Sequence, residues 1–266
     1  MALRRRFVGT AGWNIPRIHR ERFAAEGSQL QRYASELSAV EINTSFYRPH
    51  AAQVYERWAA AVPSPFRFAV KVPKVITHDR GLLRARDPLE RFLQEIAGLG
   101  RKLGPLLVQL PPSHAFDARR VGRFFELVRA RHEGAVVCEP RHATWTTAAA
   151  ARLLDSFRVA RVAADPPRAA GLETPGGWPG IVYYRWHGSP RPYFSPYPPD
   201  ALDRLAAAIE RSGVDTWCLF DNTGSGAAAG NALDLSARLR IPPSRGSARA
   251  PQPRARGSQI VRSSPR

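Results

Sequence analysis

Charged side chains in this sequence follow or interrupt short apolar runs. Glu41 interrupts one run and Glu139 ends another, while His142 and His187 follow closely on two of them. A carboxylate in an apolar strand is costly to bury unless it is paired or used. A carboxylate can position a water, and an imidazole can exchange its proton near neutral pH. We therefore take these four residues as candidate catalytic groups.

A second set of side chains at similar positions suits the binding of an anionic or ring-shaped ligand. Arginine grips two oxygens of a phosphate at once, and lysine adds a point charge. Pairs such as Glu139 with Arg141 or Arg185 can equally form salt bridges at the mouth of a barrel. The candidate ligand-binding residues are Trp13, Asn43, Tyr47, Lys71, Gln109, Arg141, Trp145, Asp165, Arg185 and Asn222.

Three functions agree with these residue types. The leading hypothesis is hydrolysis of a phosphoester or nucleic acid, with arginine and lysine on the phosphate and a carboxylate or histidine on the water. The second is a carbohydrate-active enzyme in which Glu41 and Glu139 act as an acid and base pair. Trp13, Tyr47 and Trp145 would then stack on the sugar or pack at the rim. The third is non-enzymatic binding of an anionic ligand or nucleic acid.

The sequence leaves metal binding open and argues against a dinucleotide cofactor. A divalent metal would draw on His78, His142, His187, Glu139 and Asp165, although no His-x-His or His-Glu-x-x-His spacing is present. No Gly-x-Gly-x-x-Gly follows the first predicted strand, which disfavours a dinucleotide-binding sheet.

The elements that must position these side chains alternate between β-branched runs and helical patterns. This alternation predicts a TIM-like (β/α)8 barrel, with an open doubly wound sheet as the alternative. Active sites of such barrels lie at the carboxyl ends of the strands, where the polar residues occur. The unit between strands six and seven, 166–179, has no helical pattern and is predicted to be irregular. The predicted strands are 7–10, 39–42, 66–71, 106–110, 135–139, 159–164, 180–187 and 216–220.

Length and composition predict one barrel domain over 1–240 and a disordered tail over 241–266, rich in arginine, proline and serine. The net charge is +18, but 37 of the 40 basic residues are arginine and six of these lie in the tail. The charge therefore reflects an arginine bias as well as any preference for polyanions. Two cysteines, Cys138 and Cys218, exclude a disulfide framework and a cysteine-based zinc site. With no signal peptide or membrane span, we expect a cytoplasmic protein without membrane contact.

Five motifs in order resemble the DUF72 (YecE-like) family. They are Gly-Thr-Ala-Gly-Trp at 9–13, Val-Glu-Ile-Asn-Thr-Ser-Phe-Tyr-Arg at 40–48, Gln-Leu-Pro-Pro-Ser at 109–113, Glu-Pro-Arg-His at 139–142 with Trp145, and Tyr-Arg-Trp-His-Gly at 184–188. The resemblance implies a TIM barrel without a settled reaction. It implies as pocket residues Glu41, Asn43, Tyr47, Gln109, Glu139, Arg141, His142, Trp145, Arg185, His187 and Gly188.

The eighth strand departs from the family pattern. Where the family usually reads Phe-Asn-Asn-Asp, this chain has Phe220-Asp221-Asn222-Thr223, so that the acid lies two places earlier. The loop 166–179 is also short for the family.

Overall fold

Parallel strands and helices alternate along the chain and close into a barrel. The computed structural model describes residues 4–243, so all but the first three residues of the predicted tail lie outside it. The strands form one sheet in the order β7-β9-β10-β1-β2-β3-β4-β5-β6-β8. They are β1 (Arg6–Ala11), β2 (Ala39–Ile42), β3 (Arg67–Lys71), β4 (Leu103–Gln109), β5 (Val136–Glu139), β6 (Val159–Arg161), β7 (Ala163–Asp165), β8 (Gly176–Gly177), β9 (Val182–Trp186) and β10 (Thr216–Phe220).

The sixth predicted strand closes the barrel. It is divided at Val162 into β6, which pairs in parallel with β5, and β7, which pairs in parallel with β9. The N–H of Val162 donates to the carbonyl of Cys138 across a distance of 2.8 Å. One segment thus joins both halves of the sheet, and the predicted barrel is confirmed. The predicted irregular unit contains β8, which pairs antiparallel with β6.

The helices lie outside the barrel, and three of the α-helices begin at residues whose side chains accept from free backbone N–H groups. Ser28 forms a capping box with Gln31, and Asp117 and Thr147 accept from backbone N–H groups one turn ahead. The α-helices are α1 (Gln29–Glu36), α2 (Thr44–Tyr47), α3 (Ala52–Ala61), α4 (Arg86–Ile96), α5 (Ala118–Arg129), α6 (Ala148–Ser156), α7 (Pro199–Arg211) and α8 (Ala227–Arg238). A π-helical turn, Val75–Asp79, follows β3.

The barrel encloses a small apolar core of its own, separate from the larger one between the strands and the helices. Its buried side chains are Phe7, Ala39, Ala69, Leu107, Val137, Ala160, Val162, Ile181, Tyr183, Trp217 and Leu219. Neighbouring positions on the same strands, such as Val40 and Val70, instead pack outward against the helices. This period-two alternation decides which residues can reach the barrel mouth. No helix within residues 4–243 is both long and apolar enough to cross a membrane.

Candidate active site

The polar residues of the mouth occupy the next layer above the inner core. Because successive side chains of a strand alternate, a residue two positions after an inward apolar residue also points inward. A polar residue follows a member of the inner core by two positions on five strands, β2, β3, β4, β5 and β9, and again just past the end of β10. The resulting polar layer is Glu41, Lys71, Gln109, Glu139, Arg185 and Asp221, all of them buried.

Arg185 lies at the centre of this layer and contacts three carboxylates. Its Nε and Nη2 donate to Glu41 at 3.1 and 2.8 Å, in a two-pronged contact. Its Nη1 donates to Glu139 at 3.1 Å, and Nη2 lies 2.9 Å from the carboxylate of Asp221. The Tyr183 hydroxyl donates a further bond of 2.9 Å to Glu41. Burial alone would lower the pKa of Arg185, but these carboxylates raise it well above its ordinary value.

His187 bridges two of the same carboxylates. Its Nε2 lies 3.1 Å from Glu139 and its Nδ1 lies 3.1 Å from Asp221. Burial would lower the pKa of His187, but the two carboxylates raise it. Burial likewise opposes ionisation of Glu139, yet Arg185, Arg141 and His187 hold its pKa well below the usual range. Each ring nitrogen of His187 thus faces a carboxylate oxygen, an arrangement that favours the protonated imidazole, and the same contacts favour the ionised form of Glu139.

Lys71 is the buried cation of this layer that lacks a carboxylate partner. Only 8% of the residue is exposed, and its ammonium makes no hydrogen bond or ion pair with any residue in the range 4–243. It rests 4.0 Å from the centre of the Phe46 ring, in a cation–π contact. Burial and the nearby Arg185 lower the pKa of Lys71 to about 8, although Glu41, Glu139 and Asp221 oppose that shift.

Arg141, Gln109 and His78 complete the mouth. Arg141 donates twice to Glu139, at 3.1 and 3.2 Å, and once to the Tyr193 hydroxyl. The amide nitrogen of Gln109 lies 3.5 Å from Nε2 of His78, whose Nδ1 lies 2.9 Å from the Thr77 hydroxyl. Burial, with Lys71 and Arg141 nearby, lowers the pKa of His78. The imidazole of His78 is therefore neutral near pH 7.

A narrow cleft of about 10 Å³ opens beside Glu139, Arg141 and His187, enough for about one water molecule. Its other walls include Arg168 and Tyr193, together with three prolines. The buried ion network therefore borders a narrow opening on the side of Arg141.

The structure gathers seven of the candidate residues into this one network and its edge. These are Glu41, Lys71, Gln109, Glu139, Arg141 and Arg185, which His187 joins through its two carboxylate contacts. The alternative considered for Glu139, a salt bridge with Arg141 or Arg185, is present in both forms. Arg185 is fully engaged by carboxylates and so is not free to hold a phosphate.

Other candidate residues lie away from the network. His142 accepts from the N–H of Thr144 and caps the short 3-10 helix Ala143–Thr146. Trp145 is buried in the outer core, where its indole donates to the carbonyl of His114 at 2.9 Å. Trp13 packs edge-on against Trp58 at 5.0 Å.

The side chains of Asp165 and Asn222 form hydrogen bonds with neighbouring loops and do not join the network. Asp165 accepts a bond of 2.8 Å from the hydroxyl of Tyr197, and its carbonyl accepts from the N–H of His187. Asn222 donates to the carbonyl of Ser195 at 2.9 Å. Asn43 and Tyr47 lie at the rim after β2, and Tyr47 is 78% exposed.

Two network members, Tyr183 and Asp221, were not among the candidate site residues. Tyr183 lies two positions before Arg185 on the same face of β9, which is the signal that could have identified it. Asp221 stands where the family pattern has asparagine, and here it supplies the third carboxylate on Arg185. The departure from the pattern therefore adds a charge to the network.

The geometry bears on two of the hypotheses. Arg185 donates to both Glu41 and Glu139, so both carboxylates are engaged inside the network, whereas glycoside cleavage requires an acid and a base on either side of the scissile bond. Among residues 4–243, no three histidine, cysteine, aspartate or glutamate side chains are grouped so as to hold a metal ion.

Curated relatives match only part of the chain. The UPF0759 protein YecE of Escherichia coli K12 is 30% identical over 105 residues, which cover 40% of this chain and 37% of YecE. The UPF0759 protein YunF of Bacillus subtilis 168 is 31% identical over 121 residues, which cover 43% of this chain and 42% of YunF. The matched region thus spans less than half the length of these relatives.

Solved structures of similar fold cover most of the chain. A DUF72 family protein from Enterococcus faecalis V583 superposes with a TM-score of 0.75 at 20% identity, over 89% of this chain and 96% of that one. Another, from Thermotoga maritima MSB8, gives 0.71 at 24% identity, over 89% and 99%. The family model described as "Protein of unknown function DUF72" matches residues 7–256. Since that match spans nearly the whole sequence, the chain belongs to the DUF72 family.

Proposed function

We propose that the barrel mouth binds a phosphate ester and hydrolyses it. The observation that carries this proposal is Lys71, a buried residue whose ammonium has no carboxylate partner among the described residues. A buried charge without a partner is costly, and a structure retains it where a ligand of opposite charge completes the pair. An anionic ligand at the mouth would supply that partner.

The charge balance of the network supports an anion rather than a cation. The carboxylates of Glu41, Glu139 and Asp221 are matched by three cations, namely Arg185, Arg141 and the imidazolium of His187. Lys71 then adds one positive charge in excess. Because this excess charge belongs to a residue that is only 8% exposed, it attracts an anion more strongly than the same charge on an exposed surface.

Each mouth residue has a role in the proposed reaction. Lys71 and Arg141 hold the phosphoryl oxygens, and Arg141 is oriented for this by Glu139. The neutral imidazole of His78 takes a proton from a water whose oxygen attacks phosphorus. The ester P–O bond then breaks, and the leaving oxygen takes a proton from Lys71. Arg185 and His187 position the network without touching the ester.

The test compares Lys71→Met with Lys74→Met, a matched control on an exposed lysine that pairs with Asp79. Binding of inorganic phosphate and hydrolysis of p-nitrophenyl phosphate and bis(p-nitrophenyl) phosphate are measured on the full chain. We expect Lys71→Met to lower kcat by about 100-fold or more, as for loss of one preorganised donor. Lys74→Met should leave it unchanged because its ion pair is solvent-exposed.

The pH profile of kcat/KM gives a second reading of the same experiment. The proton that Lys71 delivers is present below its pKa of about 8, so activity should fall as pH rises through that value. His78 must be neutral, so activity should also fall when the pH drops below the lowered pKa of His78. Lys71→Met should remove the alkaline limb. Phosphate binding without hydrolysis would favour the non-enzymatic alternative, and absence of both would contradict the proposal.

A further inference from the structure

An arginine-lined groove of about 840 Å³ lies on the outside of the barrel. It lies between the loop 82–86, which enters α4, and α5. Six arginines line it, namely Arg84, Arg86, Arg119, Arg120, Arg123 and Arg131. We infer that this arginine groove binds the sugar–phosphate backbone of a single nucleic acid strand. The inference rests on the proposed function, because it takes the bound nucleic acid strand as the ester that is hydrolysed at the barrel mouth.

The acidic residues near the groove, which include Glu126 in its wall, leave part of its charge unmatched. Asp117 is used as the cap of α5, where it accepts from the N–H of Arg120 at 2.9 Å. Glu90 pairs with Arg131 at 2.7 Å. The guanidinium groups of Arg84, Arg119 and Arg123 make no ion pair with any residue in the part of the chain that the structure describes, and all three residues are exposed. These three arginines are therefore available to phosphate oxygens.

The loop that carries Arg84 is held in a conformation that side chains rarely adopt. Leu82 and Arg84 have φ angles of 71° and 48°, in the left-handed region that is unfavourable for non-glycine residues. The N–H of Leu82 donates to Ile76, and the guanidinium of Arg80 donates to the carbonyl of Arg84 at 2.7 Å. Leu82 is buried in the core, whereas Leu83 is 51% exposed. The strained loop thus presents Arg84 at a fixed place on the groove wall.

The groove begins close to the mouth. The turn Val75–Asp79 carries His78, and the groove wall starts at Leu82, only four residues later. The opposite wall starts at Asp117, the residue that begins α5 at the same end of the barrel. A nucleic acid strand with one phosphate at Lys71 can therefore continue along the chain of the ligand toward the groove arginines.

Nucleic acid fits these features better than an acidic peptide does. Guanidinium groups bind two oxygens of a phosphate at once, and single strands add stacking of bases on exposed aromatic rings. Tyr47 offers such a ring at the mouth and is 78% exposed. It packs edge-on against Phe46, the ring that the Lys71 ammonium contacts. Arginine clusters also recognise phosphorylated and acidic peptides, so the exposed ring of Tyr47 is the feature that favours nucleic acid.

The experiment compares two triple variants of the full chain. Arg84→Gln, Arg119→Gln and Arg123→Gln remove three groove arginines. Arg57→Gln, Arg152→Gln and Arg211→Gln remove three exposed arginines from α3, α6 and α7 with the same change of charge. Both retain the arginines of residues 244–266, so any contribution of those residues cancels. The probe is a fluorescently labelled single-stranded oligodeoxythymidylate, followed by anisotropy at several salt concentrations.

We expect the groove variant to lose about tenfold or more in oligonucleotide affinity, and the control variant to lose much less. The slope of log affinity against log salt should fall by about 2 for three lost phosphate contacts on a single strand. Hydrolysis of bis(p-nitrophenyl) phosphate should be unchanged, because that ester is too small to reach the groove.

Equal losses in the two triple variants would overturn the inference, since they would report net charge alone. Polyglutamate that competes as well as unlabelled oligonucleotide would also overturn it, in favour of an acidic protein partner. Failure of the proposed function has a different signature. The native chain would then bind the oligonucleotide through the groove and neither bind phosphate at the mouth nor hydrolyse any ester.

Discussion

Arg185 balances the charges at the barrel mouth. Glu41, Glu139 and Asp221 all contact its guanidinium, and all four residues are buried. The bidentate fork of arginine allows this, whereas a lysine at the same position could not span three carboxylates in one plane. The network therefore depends on this residue type and not only on its charge.

Replacing Arg185 with methionine should be strongly destabilising. The change leaves buried carboxylates without their cation, which costs about 3–5 kcal/mol in the free energy of unfolding. Arg211→Met, on the exposed face of α7, is the matched control and should have little effect. Denaturant unfolding at pH 7 measures both. A loss for Arg185→Met no larger than that of the control would contradict the importance of this contact.

The sequence predicted the charged part of the site better than its aromatic part. Glu41, Glu139 and Arg185 follow inward apolar positions on predicted strands, and the alternation of a strand carries them to the mouth. Trp145 and His142 follow β5 without such an alternation to orient them. Trp145 packs in the outer core because its large surface is apolar, and the ring of His142 accepts from the free N–H of Thr144 at the start of a short helix.

At the level of elements, strands β1 and β2 meet in an unusual way. The N–H of Thr10 donates to the hydroxyl of Tyr33 at 2.8 Å, and that hydroxyl donates to the carbonyl of Ala39 at 3.0 Å. Gly9 makes this possible, because a Cβ there would lie 1.8 Å from the carbonyl oxygen of Ala39. A side chain of α1 thus completes the pairing of two strands.

Tyr33→Phe should lower stability by about 1–3 kcal/mol, the cost of leaving buried hydrogen-bonding groups unsatisfied. The affected groups are the N–H of Thr10 and the carbonyl of Ala39, and the ring itself is conserved by the change. Tyr184→Phe is the control, because its hydroxyl makes no hydrogen bond to the residues between 4 and 243. Equal unfolding free energies for the two variants would argue against the bridging hydroxyl.

Most elements of the barrel could be predicted from the sequence, because apolar runs and helical spacing mark them directly. The division of the sixth strand could not, since residues 159–164 are apolar apart from Arg161 and nothing in their types marks a break at Val162. The same holds for β8, whose residues Gly176 and Gly177 have no strand propensity. The pairing is possible because glycine has no side chain, since a Cβ on Gly177 would lie 2.6 Å from the carbonyl oxygen of Val159 in β6.

At the scale of the whole molecule, the charge is unevenly distributed along the chain. Residues 244–266 carry six arginines and no acidic residue, so removing them lowers the net charge from +18 to +12. The helices and strands of the barrel lie between Arg6 and Arg238.

A chain that ends after Pro243 should therefore keep its melting temperature, since every strand and helix that closes the described barrel is retained. Oligonucleotide affinity should fall at low salt, because the lost arginines contribute non-specific attraction to phosphates. The difference between groove and control variants should persist in the shortened chain. Differential scanning calorimetry gives the first quantity, and a melting temperature lower by several degrees would contradict this expectation.

Closure of the barrel through Val162 also governs how this protein meets other polypeptides. An open sheet edge presents unpaired N–H and C=O groups on which a foreign strand can add. Here the segment that contains β6 and β7 is bonded to neighbours on both sides, and the outermost strand, β8, is two residues long. Strand addition, a route both to peptide recognition and to fibre growth, has no template within residues 4–243. Any macromolecule that these residues recognise must be read by side chains of the loops and helices.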